Sequence, residues 1–170
     1  DAHLLNRQGL TRLCYCGPVL HTRPEGPFAS REPLQLGAEL YGHEGLQADL
    51  EILQLALQGL QQSGVTDGVI DLGDARILSA VMADLDLSEE HRQTLLAAMA
   101  AKDHAAALAL TSHLQPQVRK ALSFLIGAYG DDQVLERARV ELSAWPLALQ
   151  ALSDLAWLQQ HLKQSVLFDL

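Results

Sequence analysis

The segment Arg12-Leu-Cys-Tyr-Cys-Gly-Pro-Val-Leu-His-Thr-Arg-Pro-Glu-Gly-Pro-Phe-Ala-Ser-Arg-Glu-Pro-Leu-Gln-Leu-Gly-Ala-Glu-Leu-Tyr-Gly42 decides the fold. It reads as strand, long loop, strand. Leu13, Tyr15 and Val19 with Cys14, Cys16 and Leu20 form an apolar run suited to a strand buried on both faces. Gly17-Pro18 inside that run marks a bulge or an edge. Pro24, Gly26 and Pro27 then break any regular structure. Beyond the loop, Leu34, Leu36 and Ala38 alternate with Gln35, Gly37 and Glu39. That period of two places Gln35 and Glu39 on one face and the leucines on the other.

An amide and a carboxylate on one strand face need partners if the face is covered. Glu39 suits an ammonium group, and Gln35 suits a carbonyl or an amine. Arg23 and Arg31 flank the loop, where a guanidinium can meet phosphate or carboxylate. The same residues also fit a plain solvated strand face with surface arginines, and spacing alone does not separate the two readings.

The two blocks of this segment resemble motif 2 of class II aminoacyl-tRNA synthetases of the histidyl type. The opening Arg-Leu-x-Tyr-x-Gly-Pro and the closing Gln-Leu-Gly-x-Glu-x-x-Gly are both present. The runs Leu20-His-Thr-Arg-Pro-Glu-Gly and Arg31-Glu-Pro-Leu-Gln-Leu-Gly-Ala-Glu-Leu-Tyr-Gly-His43 are similar in particular to the synthetase-like paralogues that serve as regulatory subunits of ATP phosphoribosyltransferase. The resemblance is clear over residues 1 to about 75 and looser beyond. It implies an α+β fold: part of the antiparallel sheet of a class II synthetase catalytic core, carrying an inserted helical lobe. It also implies that Gln35 and Glu39 match positions that contact histidine. In true synthetases the first strand of motif 2 ends on an arginine that grips the ATP α-phosphate. Aligned without gaps, that position is His21, and Arg23 substitutes for it only if the loop shifts. An imidazole lacks the bidentate fork of arginine. Keeping the amino-acid face while losing the phosphate arginine fits a former enzyme used as a sensor or scaffold.

The chain has 170 residues, of which 48% are hydrophobic and 5% aromatic, enough for a real core and rich in leucine and alanine. No apolar run reaches ~18 residues, so no membrane span is expected, and from the opening Asp1-Ala2-His3 no signal peptide is expected either. Cys14 and Cys16 are too close on an extended chain to bridge each other, and no cluster supplies further metal ligands. Buried free thiols in a reducing cytoplasm are the expectation. The net charge of −9 arises entirely after residue 43, where seventeen acidic side chains face eight basic ones. With no basic stripe to displace counterions, nucleic acid is not an expected partner.

Residues 1–8 read as the tail of a helix ended by Gly9, which suggests a piece of something longer. After His43, Leu46, Leu50, Leu53, Leu57 and Leu60 make an apolar stripe for a helix over 46–63 that packs as core on a sheet and is closed by Gly64. Asp49 falls in its early part, where the helix dipole favours a carboxylate. Residues 65–73 read as a strand interrupted by Asp71, which needs a partner such as an arginine from a neighbouring strand. Six further helices are expected. The first covers 75–85. The others start at the caps Ser88, Asp103 and Asp131, or at Pro116 and Pro146 in the first helical position. Residues 165–170 look like a strand. The division expected is a synthetase-like core over 1–75 and 165–170, with residues 76–164 inserted as the helical lobe. His91, His104, His113 and His161 stand at no ligand spacing, and Trp145 and Trp157 read as packing anchors.

By resemblance, the chain is expected to be non-catalytic, with no catalytic residues, no metal and no cofactor. It would assemble with the short-form catalytic subunit of ATP phosphoribosyltransferase and take part in histidine feedback. Incomplete sheet edges lead to an expectation of self-association. The alternative is the core of a histidyl-tRNA synthetase, which would activate histidine with ATP. No Walker loop, Ser/His/Asp arrangement or metal signature competes with these readings.

Overall fold

A computed structural model describes residues 9–23, 26, 28–83 and 85–170. The helical tail expected over residues 1–8 lies outside them. The chain divides into two compact units, Asp1–Thr66 and Asp67–Leu170.

The first unit is a β-ribbon with one helix. Strand β1 (Thr11–Pro18) pairs antiparallel with β2 (Leu34–Tyr41), from Thr11 opposite Tyr41 to Pro18 opposite Leu34. The ladder passes straight through Gly17-Pro18 without a bulge. It also continues past both strand ends. The Val19 amide donates to the Pro33 carbonyl at 3.0 Å and the His21 amide to the Arg31 carbonyl at 2.8 Å. Pro33 has no N–H, so its pair with Val19 is bonded from one side only. At the other end Gly42 turns the chain with φ of 85°, and a Cβ there would lie 2.4 Å from the Gly9 carbonyl oxygen. Glycine alone fits that corner.

Helix α1 (Leu46–Gln62) follows and ends as Gly64 predicts. Gly64 takes φ of 88°, its amide bonds the Gln61 carbonyl, and the Val65 amide bonds the Leu60 carbonyl. This is the paired-bond termination that a left-handed glycine permits. Asp49 lies in the first turn.

Burial in this unit departs from expectation. Cys14, Tyr15 and Cys16 of β1 are exposed, and both thiols are free. No residue of α1 is buried: Leu46, Leu50, Leu53 and Leu57 are half-buried and Leu60 is exposed. The back of the ribbon shows Leu34 and Leu36 at 74% and 72% exposure. The physical reason is width. Two strands span only ~5 Å between their axes, so one helix half-covers one face and leaves the rest open. The apolar stripe of α1 and the alternation of β2 are present, but the described residues of this unit do not cover them fully.

The second unit has its own core. Strand β2 of the first unit is followed here by β3 (Ile70–Leu72) and helices α2 (Ala75–Met82), α3 (Glu89–Ala100), α4 (His104–Leu110) and α5 (Pro116–Ile126). Strand β4 (Tyr129–Gly130), helices α6 (Asp132–Glu141) and α7 (Pro146–His161) and strand β5 (Val166–Asp169) complete it. The caps fall as the sequence predicts. Ser88, Asp103 and Asp131 accept from the amides of His91, Ala106 and Gln133, while Pro116 and Pro146 occupy the first turn. β5 lies between β3 and β4, parallel to the first and antiparallel to the second. Helices α2 to α7 are therefore the connection between two adjacent parallel strands, a crossover that parallel pairing requires.

The core lies between these helices and one face of the sheet. Phe168, Ile77, Met82, Leu95, Leu122, Leu142 and Leu152 are fully buried. Trp145 and Trp157 are half-buried, and Trp157 stacks on His161 with ring centroids 3.9 Å apart. The partner of Asp71 is a tyrosine rather than an arginine: Tyr129 Oη donates to its carboxylate at 3.3 Å. Both lie on the outer face of the small sheet with Asp169, which Lys102 Nζ meets at 2.9 Å.

Candidate functional site

The register of the ribbon assembles the candidate site. Residues directly opposite in an antiparallel pair share a face. The face that carries Gln35 and Glu39 therefore also carries Leu13 opposite Glu39, Tyr15 opposite Gly37, and Tyr41 opposite Thr11. The bonded pair His21–Arg31 continues the same alternation. Four of the five sequence-predicted site residues, His21, Arg31, Gln35 and Glu39, thus line up along one face. Arg23 lies past the last ladder bond and shows no ion pair among the described residues.

Gln35, Glu39, His21 and Arg31 are all exposed. The two side chains on β2 each have a tyrosine partner that sequence reasoning treated as part of the apolar run or left aside. Gln35 Nε2 donates to Tyr15 Oη at 2.9 Å. Tyr41 Oη donates to the Glu39 carboxylate. That hydrogen bond, with the charge of Glu39, holds the Tyr41 phenol above its ordinary value. The Tyr15 ring lies across the backbone of β2 at Gly37, where an added Cβ would come 2.2 Å from Cζ. A glycine in mid-strand is the sequence signal of such a close approach. Its partner could be named only once the register was known.

The result is a solvent-facing strip with an amide, a carboxylate and two phenols in its middle and an imidazole and a guanidinium at its loop end. Such a strip offers acceptors to a cationic ligand at one end and donors to an anion at the other.

The opposite face of the ribbon meets α1. Arg12 forms a two-pronged ion pair with Glu51, Nη2 to Oε2 at 2.8 Å and Nε to Oε1. The hydrogen bond raises the guanidinium further and holds the Glu51 carboxyl below its usual range. Beside it is a cleft of about 240 Å³ lined by Leu10, Arg12, Leu40, His43, Gln47, Ala48 and Glu51. The pair ties β1 to α1 and leaves neither charge over for a ligand.

Among the described residues no group of three His, Cys, Asp or Glu side chains is placed to hold a metal ion. No helix among them is long and apolar enough to cross a membrane.

The ATP phosphoribosyltransferase regulatory subunit of Verminephrobacter eiseniae is 51% identical to this chain over 171 residues, and that of Albidiferax ferrireducens is 50% identical. The Ralstonia nicotianae protein of the same name is 49% identical over 161 residues. The alignment takes in 100% of this chain for the first two and 95% for the third. The chain spans 45%, 45% and 42% of the length of these relatives. The crystal structure of an ATP phosphoribosyltransferase regulatory subunit/histidyl-tRNA synthetase from Bacillus halodurans superposes with a TM-score of 0.82 at 23% identity. It covers 99% of this chain and 45% of its own, and establishes that the α+β fold is shared. The profile of the family described as histidyl-tRNA synthetase matches residues 1–170, from end to end. The chain belongs to the histidyl-tRNA synthetase family.

Proposed function

We propose that this chain is part of a non-catalytic regulatory subunit of ATP phosphoribosyltransferase, acting in the cytoplasm in histidine biosynthesis. The observation that carries this reading is the name shared by relatives about half identical over the whole chain. The subunit assembles with the short-form catalytic subunit, which joins N1 of ATP to phosphoribosyl pyrophosphate. It activates that subunit and transmits feedback by histidine. The coupling between the two sites needs a free energy of ~1–3 kcal/mol, the usual range for an allosteric effector.

Histidine binds on the ribbon face at Gln35 and Glu39. The exposed amide and carboxylate, each steadied by a phenol, support this. His21 at the position of the synthetase's phosphate-binding arginine argues against amino-acid activation, although Arg31 directly opposite leaves a cation on that face. The exposed Leu34 and Leu36 and the open edges of the ribbon favour self-association. The helices between β3 and β5 act as a lobe inserted into the synthetase-like core.

The test mixes the intact protein with a short-form catalytic subunit and follows phosphoribosyl-ATP formation with and without histidine. Activation that histidine reverses is the expected result. No activation, together with histidine-dependent exchange of pyrophosphate into ATP by this protein alone, would overturn the reading in favour of a synthetase.

A further inference from the structure

Tyr15 belongs to no apolar core. Its residue is 45% exposed, yet the ring is held in one place by two independent features of β2. The first is steric. A Cβ at position 37 would lie 2.2 Å from Tyr15 Cζ, 2.4 Å from Oη and 2.6 Å from Cε1. The ring therefore rests on bare backbone, in space that any side chain at 37 would occupy. The second is the hydrogen bond that Tyr15 Oη accepts from Gln35 Nε2.

These features set the shape of the strip. Gln35 and Glu39 lie four residues apart on one face, ~13 Å along the strand. Gly37 is midway between them and contributes no side chain, so the surface between amide and carboxylate is the Tyr15 ring. The hydroxyl takes an N–H of Gln35, which leaves Oε1 as the end of the amide free to accept from a ligand. Glu39 is likewise an acceptor. A molecule held by both presents N–H donors at its two ends and rests its middle on an aromatic face, which favours a cation or a flat ring.

We propose that Tyr15 is the platform and positioning residue of this site: its ring is the floor on which histidine lies, and its hydroxyl sets the Gln35 amide with Oε1 toward the ligand. This rests on the reading that the Gln35–Glu39 face takes histidine. A tyrosine over a cross-strand glycine also has a purely structural use, filling the gap that glycine leaves in a sheet. The two roles separate in Tyr15→Phe, which keeps the ring over Gly37 and removes only the hydroxyl, and in Gly37→Ala, which drives the ring off.

The experiment uses the intact protein, selectively labelled with 15N-glutamine. Histidine binding is measured by calorimetry, the Gln35 side-chain amide by NMR, and folding by the melting temperature. The Gln35 resonances are assigned with Gln35→Asn. In Tyr15→Phe the melting temperature is expected to hold, the Gln35 amide protons to move to the positions of a free side chain, and histidine affinity to fall roughly threefold to tenfold, as the loss of one hydrogen bond implies. Gly37→Ala is expected to weaken histidine further, because platform and hydroxyl are both displaced.

Wild-type affinity retained in both variants, or an unmoved Gln35 amide in Tyr15→Phe, overturns the role of Tyr15 and leaves the histidine reading standing. A wild-type protein that binds no histidine overturns the platform together with that reading. The Gln35 resonances then decide the positioning role on their own.

Discussion

Replacing Arg76 by alanine should destabilise the helical unit in a way that depends on pH. Asp74 caps α2, its side chain accepting from the Arg76 amide at 2.9 Å. The Arg76 side chain folds back on that carboxylate, with Nε 3.0 Å from both oxygens and Nη2 2.6 Å from Oδ2. Nη2 also reaches Asp154 Oδ2 in α7 at 2.7 Å, so one guanidinium joins two helices. The carboxylates are 15% and 14% exposed and the guanidinium 56%. Hydrogen bonds to charged groups contribute about 1.5–3 kcal/mol each. Water screens the exposed arginine and can re-solvate part of what it leaves, which brings the total down to about 1–3 kcal/mol. Burial pushes the Asp74 carboxyl up, but the hydrogen bonds and charge of Arg76 outweigh it and hold the group below its ordinary value. A depressed carboxyl stabilises the fold above the unfolded value of ~3.9, and that contribution is lost as pH falls toward the folded value. In Arg76→Ala the side-chain bonds and the charge are gone and only the amide of residue 76 still opposes the burial, so most of this acid loss disappears. Urea unfolding of the intact protein, followed by the fluorescence of Trp145 and Trp157 in this unit, should show the gap between wild type and variant shrinking as pH drops below about 4. A gap of the same size at pH 7 and pH 3.5 would refute the reasoning, and would assign the effect to packing of the arginine stem.

Phe168→Ala should cost about 3–5 kcal/mol, since Phe168 is fully buried in the central strand of the small sheet. A melting curve or urea titration that shows less than about 1 kcal/mol would mean that the site collapses around the smaller residue. Glu39→Gln should bring the Tyr41 phenol down toward ~10, because the carboxylate that holds it up is gone. NMR titration of the tyrosine Cζ resonances reads this directly, and an unchanged Tyr41 titration would show that the hydrogen bond does not form in solution.

What could be read from the sequence was local in origin. Five of the six helices of the second unit begin at or within one residue of a signal written into the chain: the side chains of Ser88, Asp103 and Asp131, and the fixed φ of Pro116 and Pro146. The end of α1 follows from the left-handed conformation of Gly64. A capping bond or a forced dihedral involves neighbours a few residues apart, so it is present in the sequence before anything packs. The two motif-2 blocks pointed to the synthetase-like fold for a different reason: their residue types and separation are specific enough to survive in a divergent chain.

Burial was less legible. Periodicity shows which side of an element seeks cover. It does not show whether cover is present: the pattern assigns Cys14, Cys16 and the stripe of α1 to a core, and the described residues of this unit do not supply one. The sequence shows that Asp71 needs a partner, but its phenol donor is 58 residues away and reaches it across an intervening strand.

The same division runs through the candidate site. The sequence by itself put Gln35 and Glu39 on one face, because successive side chains of a strand must alternate. Only the tertiary structure put Tyr15 over Gly37, Tyr41 on Glu39 and His21 opposite Arg31. Those pairings depend on the register of two strands joined by a long loop. Register is fixed by cross-strand hydrogen bonds and side-chain fit between residues far apart in the chain, which no local pattern encodes.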